Sequence, residues 1–293
     1  PNRRQPDLNL KAIKMADFEI VSREDFSDVT YLLEVRHPLM AKAAKPGQFV
    51  IVMLNESGER IPLTIADFDR ERGTITLVCQ GIGKSTKEIN QMQKGESFLD
   101  LLGPLGQAYP IKKVGTVACV AGGLGVAPLY PKAKALHQAG NRVLSMIGAQ
   151  RKEMLIMTEE MAAVSDQISF STDDGSFGYH GFVTDLLRQT LEKEDVHEIV
   201  AVGPVPMMAA ATKVAKEFNV PIVVSLNALM VDGTGMCGGC RVTVGGETKF
   251  CCVDGPAFDG ALVNFEELMS RQRYYRKQEQ EALHRCRLEE AGK

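Results

Sequence analysis

Thr116-Val-Ala-Cys-Val-Ala-Gly-Gly-Leu-Gly-Val-Ala-Pro128 decides the fold. Its first six residues are an apolar run of the length of a buried strand. The glycines then give a turn, and Leu129 to Ala139 carries a helical pattern. The alternation continues downstream. Strand-like runs cover Arg142 to Ile147, Ile168 to Ser171, Glu198 to Val202 and Pro221 to Ser225. Between them lie helical patterns over Lys152 to Val164, from Val183 to Leu187 onward, and through Phe218. Strands alternating with helices predict a parallel α/β sheet. The stretch Gly122 to Pro128 would then stand at the carboxyl end of the first strand and open a helix. There, free backbone N–H groups and the helix dipole favour a phosphate or dinucleotide. It is not a full G-x-G-x-x-G, and no acid ends the second strand. A plain tight turn is the competing reading, and NAD and NADP stay unseparated. Arg151 offers itself to a ribose or a 2′-phosphate, or to solvent. Gly203-Pro-Val-Pro-Met-Met208 follows a later strand, where a Gly-Pro turn leaves room for a nicotinamide; on the plainer reading Met207 and Met208 are core.

Upstream of Gly115 the pattern is different. Thr30 to Val35, Phe49 to Leu54 and Thr74 to Cys79 are short strand-like runs between Gly and Pro punctuation; partial alternation in the first and third, with turn signals at this spacing, predicts a small antiparallel barrel. Within it, Arg60-Ile-Pro-Leu-Thr-Ile65 and Gly81-Ile-Gly-Lys-Ser-Thr86 suit a pyrophosphate and a flavin edge. Taken singly they are an exposed arginine and a helix cap.

After the last α/β strand the chain reads Met230-Val-Asp-Gly-Thr-Gly-Met-Cys-Gly-Gly-Cys240, and later Phe250-Cys-Cys-Val-Asp-Gly255. Cys237 and Cys240 share one glycine-rich loop, and Cys251 or Cys252 ends a hairpin strand. Three converging thiolates read as an iron–sulfur or metal site. Asp232 offers a fourth, harder oxygen ligand. Zinc, or a reduced structural C-x-x-C, are the alternatives from this segment alone. The five histidines are scattered and read as structural or surface groups, and no side-chain acid or base is singled out as catalytic.

Composition narrows the function classes. The chain has 293 residues, enough for two modest domains and a small module. A net charge of −3 without a large basic block gives nucleic acid no footprint. No apolar run is long enough to span a membrane and no leader pattern is visible, so a soluble cytoplasmic protein is expected. Seven cysteines, several clustered late, do not look like a secreted disulfide framework. The expected division is an extension over 1–14, a barrel over 15–112, an α/β domain over 113–226, a cluster module over 227–260 and a charged helical tail over 261–293.

The order of these motifs resembles the ferredoxin–NADP reductase superfamily, in the branch that contains the electron-transfer subunit of dihydroorotate dehydrogenase. Within that branch the chain is similar to the small (alpha) subunits of NADH-dependent reduced ferredoxin:NADP oxidoreductases, electron-bifurcating flavoproteins also called sulfide dehydrogenases. The residues that carry the likeness are Glu59 to Asp67, Asp173 to Gly178, Ser225 to Cys237 and Phe250 to Pro256. Asp232 is the sharpest discriminator, because the dihydroorotate-type subunit has cysteine there. Leu124 and Pro128 look more like the broader superfamily.

The resemblance implies an NAD(P)H-dependent oxidoreductase subunit with FAD in the barrel, NAD(H) in the α/β domain and one 2Fe–2S cluster. Arg60, Pro62, Leu63 and Thr64 would line the flavin, and Gly81, Gly83, Ser85 and Thr86 its pyrophosphate. Gly123, Gly125, Gly203 and Met207 would border the nicotinamide nucleotide. Asp232, Cys237, Cys240 and Cys252 would bind the cluster. Hydride would pass from NADH to FAD, and single electrons would leave through the cluster to a larger flavin and iron–sulfur subunit in a heterodimer or higher assembly. Bifurcation between NADH, NADPH and ferredoxin would need that partner. The alternatives are the NAD-linked subunit of a dihydroorotate dehydrogenase or sulfhydrogenase type complex, and a zinc-stabilised non-redox module.

Overall fold

A computed structural model describes residues 18–56, 58–281 and 284. The expected extension over 1–14 lies outside the described residues. Six antiparallel strands come first: β1 (Ile20–Asp25), β2 (Thr30–Arg36), β3 (Phe49–Met53), β4 (Ile61–Asp69), β5 (Thr74–Gln80) and β6 (Asp100–Leu105). Their order is β1-β2-β5-β4-β3-β6. The two edges meet just before β6. There the Ile20 N–H donates to Glu96 O at 2.8 Å and the Phe98 N–H donates to Phe18 O at 3.1 Å. The barrel so formed follows from period-two patterning. Tyr31, Leu33 and Val35 of β2 and Ile75, Leu77 and Cys79 of β5 point inward and are fully or almost fully buried. Each large apolar side chain so buried contributes roughly 1.5–3 kcal/mol. Helix α1 (Pro38–Ala43) follows β2, and α2 (Lys84–Gln91) follows β5. His37 caps α1, its Nδ1 accepting from the Met40 N–H.

The second sheet contains β7 (Thr116–Gly122), β8 (Arg142–Ala149), β9 (Gln167–Thr172), β10 (Tyr179–His180), β11 (Glu198–Val202) and β12 (Ile222–Ser225), all parallel. Helices α3 (Val126–Gln138), α4 (Thr158–Ala163), α5 (Val183–Leu191) and α6 (Val205–Glu217) alternate with them. A hairpin, β13 (Arg241–Val244) with β14 (Glu247–Phe250), follows. The chain then returns as β15 (Ala257–Asp259), antiparallel to β12, which gives the order β10-β9-β8-β7-β11-β12-β15. Helix α7 (Phe265–Gln272) comes last among the named elements. Among the described residues no helix is long and apolar enough to cross a membrane.

The sequence predicts one helix over Lys152 to Val164, and the structure corrects this. A 3-10 turn covers Lys152–Met154, and α4 begins only at Thr158. Met157 breaks the run, with φ 51° in the left-handed region and a buried side chain. In the charged helical tail expected over 261–293, the helix α7 starts at Phe265 and is followed by a turn over residues 273–275. It is not wholly solvated, since Leu268 is buried.

Candidate functional site

In the sheet order the chain runs outward from β7 in one direction and from β11 in the other. The gap between their carboxyl ends is the switch point where open α/β sheets receive ligands. Gly123 and Gly125 follow β7, while Gly203 and Met207 follow β11, so the structure brings these four expected residues to one place. Packing explains much of the glycine there. A Cβ on Gly125 would lie 2.2 Å from Val202 O, and one on Gly122 would lie 2.6 Å from the Met207 sulfur. Gly123 differs, with φ 51° and open space where a Cβ would project. It is the residue of the turn that exposes backbone to a ligand.

The sequence reading found no acid after the second strand. The structure supplies one from the third. Thr172 of β9 pairs with Ala149 of β8, and the Asp173 and Asp174 N–H groups donate to Ala149 O and Gln150 O. Asp174 is committed to its own turn, accepting from the Ser176 N–H at 2.9 Å. That bonding to Ser176 holds its carboxyl below the usual range. The exposed Asp173 carboxylate carries no bond among the described residues. Half-exposed Phe177 and Tyr179 and exposed Phe182 follow it, so an acid and aromatic faces border one edge of the sheet. The signal was present in the sequence, an Asp-Asp-Gly-Ser turn closing a strand, but only the register places it beside the end of β8. Arg151 is exposed, 3.9 Å from Glu153.

In the barrel, Arg60 precedes β4, and Pro62, Leu63 and Thr64 lie on it opposite Ile51, Val50 and Phe49. Leu63 points into the barrel core, so it presents backbone rather than side chain to a flavin. Arg60 Nε is buried without a hydrogen-bond partner. An orphaned guanidinium N–H on this strand fits an anion such as a pyrophosphate. Across from it, Gly81 is buried and Gly83 caps α2. Ser85 donates its hydroxyl to the Glu59 carboxylate, and Thr86 Oγ1 accepts from the Gly83 N–H at 3.0 Å. Both expected hydroxyls are therefore engaged within the chain, and the first-turn backbone is what α2 presents outward.

The cysteine loop falls into two pairs. Cys240 and Cys252 meet sulfur to sulfur at 3.2 Å, both buried. Asp232 accepts from the Cys237 N–H at 2.8 Å and from the Thr234 hydroxyl and N–H. The Cys237 side chain first, then the Thr234 hydroxyl and the two N–H groups, hold its carboxyl well below the usual range. Burial pushes the Cys252 thiol up to about 12, with Cys240 beside it acting in the same direction. Cys237 is exposed, and Cys251 is packed in the core. Among the described residues no three His, Cys, Asp or Glu side chains converge closely enough to grip one metal ion. The donor chemistry nevertheless fits an iron–sulfur cluster: soft thiols, one anionic oxygen and an N–H-rich glycine loop.

The barrel touches both the helix that follows the first nucleotide loop and the cysteine loop. Ala66 of β4 shares a core with Val126, Leu129 and Ala133 of α3, and Lys134 of α3 pairs with Asp67 at 2.7 Å. On the other side, a Cβ on Gly233 would meet Leu105 and Ile51 within about 3 Å. A cavity of about 220 Å³ opens at that junction between Leu105, Gly106, Gly233, Thr234 and Cys252. Strand β3 alone separates the Pro62–Thr64 stretch from the cysteine loop, and neighbouring strands lie about 4.8 Å apart.

Comparison with known proteins follows this layout. Residues 227–264 match the iron-sulfur cluster binding domain of dihydroorotate dehydrogenase B, and residues 119–213 match the oxidoreductase NAD-binding domain. A Thermotoga maritima protein named as a homolog of the dihydroorotate dehydrogenase B (NAD(+)) electron transfer subunit is 47% identical over 261 residues, 89% of this chain and 92% of its own. The chain belongs to the dihydroorotate dehydrogenase B electron transfer subunit family. The subunit of that name from Bacillus caldolyticus is 36% identical across 82% of this chain and 94% of its own. Among solved structures, a chain of the NADH-dependent reduced ferredoxin-NADP oxidoreductase, a structure described for flavin-based electron bifurcation, superposes with TM-score 0.88. It is 45% identical and covers 92% of this chain and 98% of its own. A Neisseria gonorrhoeae ferredoxin NADP+ reductase with bound FAD and NADP shares the fold alone, at 15% identity and TM-score 0.57 over 72% of this chain and 91% of its own. This member of the electron transfer subunit family is thus an oxidoreductase of ferredoxin reductase fold, with NAD-binding and iron–sulfur-binding segments.

Proposed function

We propose that this chain passes electrons from NADH, through FAD in the barrel and a 2Fe–2S cluster in the cysteine loop, to a larger flavin and iron–sulfur subunit. The assembly is cytoplasmic and works in flavin-based electron bifurcation among NADH, NADPH and ferredoxin. The carrying observation is the layered geometry: β4 packs against α3, the helix that the Gly122–Gly125 turn opens, and is one strand from the cysteine loop through β3. The likeness to the bifurcating oxidoreductase chain and the oxygen donor at Asp232 support this partner class. The units follow the sequence division, with the barrel over 15–112, the α/β domain over 113–226, the cluster module over 227–260 and the tail from 261 onward.

The residues have distinct tasks. Arg60 neutralises the flavin pyrophosphate, and the backbone from Pro62 to Thr64 borders the ring. Gly81, Gly83, Ser85 and Thr86 form the opposite wall. Gly123 opens backbone N–H groups to the nicotinamide nucleotide, while Gly125, Gly203 and Met207 close the wall behind it. Asp173 accepts from a ribose 2′-hydroxyl and repels a 2′-phosphate, which favours NADH. Asp232, Cys237, Cys240 and Cys252 hold the cluster, and the buried Cys240–Cys252 side excludes water. When bound, FAD supplies the conversion of a two-electron hydride to single electrons, so the protein orients and no side-chain acid or base is required. An anaerobic visible spectrum of the purified chain during NADH titration tests this. Flavin bands and a broad iron–sulfur shoulder, both bleached by NADH, are expected. A colourless, zinc-containing protein after cofactor reconstitution would sink the relay.

A further inference from the structure

Lys132 lies in the middle of α3 and is only 1% exposed. A buried lysine normally has a carboxylate partner. This one has none among the described residues. Its ammonium donates to the Ser225 hydroxyl at the end of β12 and stands 5.8 Å from the centre of the Tyr109 ring. The Tyr109 hydroxyl itself donates to the Glu198 carboxylate of β11. Cys119 of β7 is the other titratable group facing it. On its own helix, Lys134 turns to Asp67 on β4.

The location matters. Lys132 Cε would lie 3.3 Å from a Cβ on Gly47. Next to Gly47, Gln48 O accepts from the Ile65 N–H, and Ile65 directly follows Thr64. Ser225 is the last residue of the strand that leads into the cysteine segment. The ammonium therefore stands beside the Gly47–Gln48 segment that hydrogen-bonds to the proposed flavin strand, and at the root of the cluster module, in a medium of low dielectric. There an uncompensated charge acts over distances that water would screen.

We propose that Lys132 is a positioning residue whose buried positive charge stabilises the reduced, more negative flavin over the oxidised one and so raises its reduction potential. This rests on the reading of the barrel as the flavin site. Burial also lowers the Lys132 ammonium to about 8, with Cys119 opposing the shift, so its charge is lost just above neutrality. The potential should then fall more steeply with pH above about 8 than the flavin's own protonation requires.

The experiment uses the full chain carrying FAD, with Lys132→Met and Lys132→Arg variants, and measures the flavin midpoint potential by spectroelectrochemical titration. Replacing a buried charge by an apolar residue of similar volume is often neutral or stabilising, so the methionine variant is expected to fold. Its potential should lie below that of the parent. The arginine variant should keep the parental potential at neutral pH and lose the extra steepness above about pH 8. Equal potentials in all three proteins, with only a changed melting temperature, would overturn the proposal and leave Lys132 as packing. If the methionine variant does not fold, the parent's own pH profile decides, because a profile without the break near 8 rejects the idea. A parent chain that retains no flavin would instead sink the flavin reading itself.

Discussion

The nucleotide loops and the cysteine loop are both rich in glycine, yet they use it in opposite ways. At Gly125 the side chain is missing because the backbone of Val202 and Gly203 fills the space a Cβ would need. At Gly235 and Gly238 the space is tolerable but φ is 89° and 67°, so the side chain is missing because the chain must turn. The first loop is a packed wall whose shape is set by the sheet behind it. The second is an open cradle with Met236 90% exposed at its tip, and it is tied across by Asp232, which accepts from the Thr234 and Cys237 N–H groups. A glycine count cannot separate the two cases, but burial and dihedral angle do.

The contrast breaks most sharply at the thiols. Cys252→Ser should abolish the iron–sulfur absorbance and the bound iron, whereas Cys251→Ser, in the core beside it, should keep both; iron analysis with a visible spectrum decides. If both variants lose iron equally, the assignment of faces at the end of β14 is wrong. The packed wall comes next. Gly125→Ala should cost about 3 kcal/mol, the upper part of the usual range for overpacking. That corresponds to a melting point roughly 6–12 °C lower for a domain of this size. Gly123→Ala, strained in φ but unobstructed, should cost only about 1 kcal/mol. Equal melting points for the two would erase the distinction between wall and turn. Arg60→Met should weaken FAD binding about 10–100-fold, the worth of a charge-assisted hydrogen bond, as read by fluorescence titration. The smallest effect is expected at the sheet edge, where Asp173→Ser should raise the KM for NADH about tenfold and lower that for NADPH. An unchanged preference would remove Asp173 from the ribose site.

Legibility followed periodicity. Thr30 to Val35 and Thr74 to Cys79 are short β-prone runs bounded by turn residues, and the strands end within one residue of those limits. The parallel strands were legible as apolar runs between helices. Met157 was not, because a left-handed methionine has no signature in a helical pattern and is held there by its burial. Nor was β15, since three residues, Ala257 to Asp259, carry no period and become a strand only by pairing with β12. In the sites, residue types were readable and commitments were not. Ser85 and Thr86 were expected to face a pyrophosphate, but Glu59 and the Gly83 N–H engage their hydroxyls. Lys132 drew no attention as one lysine in a helix. Its importance comes from Gly47, Tyr109 and Ser225, which arrive from distant parts of the chain.

The return of the chain as β15 has a consequence for how the molecule is assembled. Ser225 pairs with Ala257, and the Leu226 N–H donates to Pro256 O, so the cysteine segment leaves and re-enters the sheet at adjacent points. In topological terms, residues 226–256 are an overgrown hairpin loop. The sheet closes its edge whether that loop is long or short, so a redox centre is carried as an appendix to a fold whose hydrogen-bond ladder is already complete at the loop's base. Shortened to a tight turn, the same two strands would still pair, and what remained would be a ferredoxin reductase fold without its iron–sulfur-binding segment.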